Sequence, residues 1–109
     1  YGCSVQGLGV ARYGDMNGVY LAGDWCSGRV FGLAWDENTG AWQLEELLQT
    51  GLQFTAGGLD PNGKVLAVTA NNFSLADEGP EANPPGTLWR VVPKDEVPEG
   101  ATVAKTKQQ

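Results

Sequence analysis

Apolar residues in this 109-residue chain come in short blocks, separated by dense Gly, Pro, Asn and Asp punctuation. Residues 18–25 (GVYLAGDW) and 28–35 (GRVFGLAW) read as two strands joined by a turn at Cys26 and Ser27. Both are apolar on either face, the pattern of strands packed between neighbouring sheets. The segment 36–40 (DENTG) predicts a hairpin loop, with Gly40 placed for a left-handed conformation. In residues 41–49, Leu44, Leu47 and Leu48 could line a short helix, and the residues are good helix formers. The hairpin signal before the segment and its short length favour a strand. Asp60-Pro61-Asn62-Gly63 predicts a tight turn into a further strand at 64–70 (KVLAVTA). A polar, Pro-containing loop follows, with Asp77, Glu78 and Glu81, and 87–92 (TLWRVV) is the last strand before Pro93. Residues 94–109 have little apolar periodicity and are expected to form an irregular C-terminal tail, mobile or draped over a partner.

The pattern repeats. Gly18-Val19-Tyr20-Leu21-Ala22 recurs as Gly63-Lys64-Val65-Leu66-Ala67, 45 residues on. Gly28-Arg29-Val30-Phe31-Gly32-Leu33 recurs as Gly86-Thr87-Leu88-Trp89-Arg90-Val91, 58 residues on, the longer offset absorbing the acidic loop. A strand-only repeat of about 45 residues is the period of a β-propeller blade. The chain is therefore expected to be all-β, with about two consecutive antiparallel blades centred on 18–35 and 60–92. Propellers close with about four or more blades, so the fold is incomplete as given. Two chance hairpins in a sandwich are the alternative.

Composition narrows the chemistry. With 7 Lys plus Arg against 13 Asp plus Glu, the net charge is −6, and no basic stripe offers itself to nucleic acid. No apolar run approaches the roughly 20 residues of a membrane-spanning helix. The chain has no His, which excludes imidazole bases, Ser-His-Asp triads and His-type zinc sites within it. Its two cysteines, Cys3 and Cys26, are too few for a four-thiolate zinc site. They are read as one disulfide, which implies an oxidising compartment, with two buried thiols as the alternative. The sequence opens at Tyr1 without an initiator Met or signal peptide, as expected of a processed chain or part of a longer one. Asn72-Phe73-Ser74 fits the glycosylation acceptor pattern, which is common by chance.

Residues 18–33, with Gly23-Asp24-Trp25 and Ser27-Gly28-Arg29, resemble the closing region of the glucose/sorbosone dehydrogenase family. Residues 59–68 (LDPNGKVLAV) and 86–93 (GTLWRVVP) continue the likeness in order, and Gly2-Cys3-Ser4-Val5 resembles the strand before it. The resemblance covers roughly residues 2–93, and it implies the C-terminal blades of a six-bladed propeller, periplasmic or extracellular. It also implies kinship with sugar dehydrogenases that use pyrroloquinoline quinone (PQQ) held by calcium, whose catalytic His comes from an earlier blade. This segment would then complete the ring and line one side of its cleft. Two departures bear on the cofactor. A Lys expected before the Gly matching Gly28 is replaced by the run Trp25-Cys26-Ser27, and two expected Arg fall at Gln53 and Thr55. PQQ carries three carboxylates that need charge-assisted partners. The segment 23–29 is similar to the sorbosone-type and hedgehog-interacting branches, some of whose members bind proteins. A non-catalytic propeller, acting as a binding or accessory subunit, is the competing reading.

No catalytic, cofactor-binding or metal-binding residue is assigned. The pairs Asp36/Glu37 and Glu45/Glu46 read as solvated turn chemistry, and the segment 15–18 lacks the run of oxygen ligands of an EF-hand. The acidic stretch Asp77, Glu78 and Glu81 is the best remaining candidate for a weak cation site. Arg29 is expected to pair with Asp24 or lie in solvent. Trp35 and Trp89 are expected to pack between blades, and Gly57-Gly58 is not a phosphate loop, since no Lys-Ser/Thr follows. The partners implied are the remaining propeller blades or tightly associated protein chains, because the apolar strands carry more than two blades can bury between them.

Overall fold

A computed structural model describes residues 4–72, 86–104 and 106–107. It is all-β, with two antiparallel sheets. The first contains β1 (Val5–Val10), β2 (Tyr20–Asp24), β3 (Arg29–Asp36) and β4 (Ala41–Thr50), in that spatial order. The second contains β5 (Leu52–Leu59), β6 (Val65–Asn72) and β7 (Thr87–Arg90), also in chain order. β8 (Thr106–Lys107) returns to the first sheet and pairs with Gln49 and Thr50 at the edge of β4. Each sheet is a meander of hairpins, and the sheets do not close on themselves.

The segment 41–49 is a strand, because the loop at 36–40 returns it directly alongside β3. Asp36 accepts a hydrogen bond from the Asn38 N–H (2.9 Å), and Gly40 N–H closes the turn on Asp36 O (2.8 Å). Leu33 then faces Leu44, and Trp35 faces Trp42. The turn at 60–63 forms as its sequence predicts. The Asp60 carboxylate accepts the N–H groups of Asn62 (2.8 Å) and Lys64 (3.0 Å), the behaviour that favours Asp at such turns.

The sequence repeat has a structural counterpart. Gly18 and Gly63, which precede equivalent strands β2 and β6, have φ of +90° and +85°. Both lie in the region that glycine adopts without steric cost. Hairpin β2–β3 thus corresponds to hairpin β6–β7, with β1 and β5 paired outside β2 and β6 respectively.

One core lies between the sheets. Leu8, Leu21 and Val30 of the first meet Leu52, Phe54, Val65 and Ala67 of the second, with Ala11 at the margin. Two glycines allow this close approach. A Cβ on Gly23 would stand 2.5 Å from Phe54 Cγ, and one on Gly57 would collide with the Leu8 backbone. Leu8 is the extra residue of a β-bulge between Gly7 and Gly9, and the bulge turns its side chain into the core, where it is buried.

The tail after β7 begins with a 3-10 turn at Lys94–Glu96. It crosses from the second sheet to the first, with Ala104 packed against the core. No helix among the described residues is long and apolar enough to cross a membrane.

Candidate functional site

Among the described residues, Asp24, Arg29, Asp60 and Tyr13 each make structural bonds. Asp24 is fully buried at the end of β2, where its two carboxylate oxygens accept the Ser4 N–H (2.9 Å) and the Ser27 N–H (2.7 Å). It holds the β2–β3 turn. Arg29 reaches across the sheet to Glu46, with Nε to Oε1 at 3.3 Å. The register explains this, since Arg29 and Phe31 project on one face of β3 and Phe31 lies opposite Glu46. Asp60 also accepts from Arg90 Nε at 2.8 Å. Its carboxyl is held below the usual range, first by the Lys64 N–H, then by the Asn62 N–H and Arg90, against the opposing effect of burial.

Tyr13 ties the β1–β2 connection to the second sheet. Its hydroxyl donates to Val91 O at 2.7 Å, and Lys64 Nζ lies 5.6 Å from its ring centroid. The phenol is pushed up by burial and then by the charges of Glu96 and Asp60.

Among the described residues, no group of three or more His, Cys, Asp or Glu could hold a metal ion. Asp77, Glu78 and Glu81 lie outside the described residues, as does Cys3. Cys26 sits exposed in the β2–β3 turn. At the positions where the family resemblance expects two cations, Gln53 is half-buried and Thr55 is exposed, its hydroxyl donating to Val68 O (3.0 Å).

The distinctive surface is apolar. On the face of the first sheet turned away from the core lie Val5, Tyr20, Trp35, Trp42 and Leu44, of which Leu44 is 66% and Trp42 59% exposed. Trp35 and Trp42 meet edge-on, with centroids 5.4 Å apart and planes at 71°. Trp35, expected between sheets, is half exposed on this outer face because the second sheet packs on the opposite one. Trp89 does pack on the core, its indole N–H bonded to Thr69 Oγ1 at 3.1 Å. Between Val5, Ala22, Phe31 and Leu44 the outer face forms a hollow of about 220 Å³, lined by these side chains alone. The second sheet also has an apolar outer face, where Val68 pairs with Leu88 and Leu88 is 61% exposed.

A second hollow of about 200 Å³ lies at the end of the first sheet, beside Asp15, Met16, Gln43 and Glu45. Its lining brings together two carboxylates and the Gln43 amide, with no hydroxyl, thiol or cation among them. It carries no evident chemistry.

Comparison with protein-family models, curated proteins and solved structures gave no match for this chain.

The sequence alone did not locate the outer face, because apolar residues on both sides of a strand do not say which side is covered. The register does: Tyr20, Leu33 and Leu44 share one side, and Leu21, Val30 and Leu48 the other.

Proposed function

We propose that this chain is a pair of adjacent blades of a larger propeller-like scaffold, related to the C-terminal part of the glucose/sorbosone dehydrogenase propellers. Its work is to bind neighbouring sheets and complete the assembly. The observation that carries the reading is the pair of exposed apolar outer faces, one on each sheet. Burying a Leu or Phe side chain contributes about 1.5–3 kcal/mol, so faces of this kind favour covered neighbours over solvent.

The residues present do not fit PQQ. Three carboxylates call for charge-assisted partners, yet at the positions where the resemblance expects cations stand Trp25-Cys26-Ser27, Gln53 and Thr55, and the nearby Arg29 and Arg90 are engaged with Glu46 and Asp60. This favours the accessory, protein-binding reading over a redox one for this segment. Fluorescence titration of the chain with PQQ, with and without calcium, tests the assignment. No saturable binding is expected. Calcium-dependent, saturable binding by this chain alone would overturn the scaffold role and restore a cofactor-binding one.

A periplasmic or extracellular setting belongs to the same proposal and rests on a Cys3–Cys26 disulfide. Val5 pairs with Asp24, and Trp25 N–H donates to Ser4 O at 2.8 Å.

A further inference from the structure

The two open faces are not arbitrary apolar patches. They are the repeat counterparts of the two faces that already mate inside the chain. On the second sheet, the mating face carries Val65, Ala67, Trp89 and Val91. The sequence repeat maps these onto Tyr20, Ala22, Phe31 and Leu33, on the open face of the first sheet. On the first sheet, the mating face carries Leu21 and Val30. Their counterparts are Leu66 and Leu88, on the open face of the second sheet. The internal interface is therefore head-to-tail: the Leu21/Val30 side of one unit meets the Val65/Trp89 side of the next. One chain leaves one copy of each half unused.

We propose that a second copy of this chain supplies the missing half, setting the Leu66/Leu88 face of its second sheet on the Tyr20/Leu44 face of the first. This names the partner of the apolar surface and rests on the blade reading above. Because two different patches meet, the contact is heterologous and must close into a ring or run on as a filament. Propellers close with about four to eight blades, so two to four copies of a two-sheet chain complete a ring. The hollow between Val5, Ala22, Phe31 and Leu44 is the recess into which the incoming leucines pack. The arrangement continues an interface the molecule already uses.

The test is sedimentation of the full 109-residue chain over a range of concentrations, with two single variants. Leu44→Glu spoils only the open face of the first sheet, and Leu88→Glu only that of the second. Both positions are exposed, so each variant keeps its fold, as circular dichroism and thermal unfolding verify. The wild type is expected to form a closed oligomer of two to four copies. Each variant alone sediments as a monomer, and an equimolar mixture gives a 1:1 dimer that grows no further, since it retains one intact interface.

Self-association by the Leu88→Glu variant alone would show a like-to-like contact and overturn the proposal. A wild-type monomer that binds an apolar dye would overturn the self-assembly but leave the blade reading standing, with another chain as neighbour. A wild-type monomer with cooperative unfolding and no dye binding would overturn both.

Discussion

Gly57 shows how much of this fold rests on the absence of a side chain. It lies against the backbone of Leu8, the bulged residue of β1, so a methyl group there meets main chain that cannot rotate away. Gly57→Ala is expected to lower stability by about 1–3 kcal/mol, the usual range for overpacking a close-packed contact, measured by urea unfolding. Gly58, the next residue along the strand, has open space at its Cβ position, so Gly58→Ala is the control and should change little by steric conflict.

Asp60 gives a pH-dependent counterpart at the same scale. Its folded-state carboxyl is held below the usual carboxylate range by the Lys64 and Asn62 N–H groups and Arg90. The stabilisation is therefore complete above the unfolded value and is lost as pH falls through the folded one. Asp60→Asn keeps an acceptor oxygen for the turn but removes the titration. The stability difference between wild type and variant should be level from neutral pH to about pH 5 and shrink below pH 4, followed by denaturant titrations at each pH. A difference that grew on acidification would contradict this assignment.

At the level of elements, hairpins were legible where turn residues and apolar runs stood side by side. The 36–40 loop, the 60–63 turn and the strands they join have local causes: Asp side chains that bond backbone N–H groups and glycines at positive φ. β1 and β5 were not legible as full strands. Their sequences, VQGLGV and LQFTAGGL, are rich in glycine, which weakens a strand signal. One of these glycines, Gly57, is what close packing between the sheets requires, so a feature that builds the interface also helps to hide the strand. The apolar outer face was legible only in part, since covering depends on which face the second sheet selects.

The β2–β3 turn carries a prediction at this scale. If Cys3 and Cys26 are joined, the link closes a loop containing β1 and β2, and Cys26→Ser should lower stability by about 3 kcal/mol on the chain-entropy model. Alkylation of the unfolded protein should modify neither cysteine without reductant and both with it. Modification of both without reductant would remove the basis for an oxidising compartment.

For the whole molecule, the question is whether the two sheets are separate folding units. Each is a local meander and on topology alone could form independently. Neither has a core of its own. Leu8, Leu21 and Val30 on one side and Leu52, Phe54, Val65 and Ala67 on the other make a single cluster. The Tyr13–Val91 hydrogen bond and the β4–β8 pairing add further ties across the same divide. A sheet with an apolar face must bury that face against another element, and here each sheet's core face is covered by the other, so the sheets should unfold together in one cooperative transition. Phe54 is the residue on which to test this: it is buried on β5, with its ring against Gly23 of the other sheet. Phe54→Ala should lower global stability by about 3–5 kcal/mol through lost burial and a cavity that Gly23 has no side chain to fill. Amide hydrogen exchange separates the alternatives. With one core, protection in β2 and β3 falls by the same free energy as protection in β5 and β6, although the substitution lies wholly in the second sheet. Loss confined to β5–β7, with the first sheet's protection unchanged, would mean that each sheet folds on its own and that the contact between them is docking rather than a shared core.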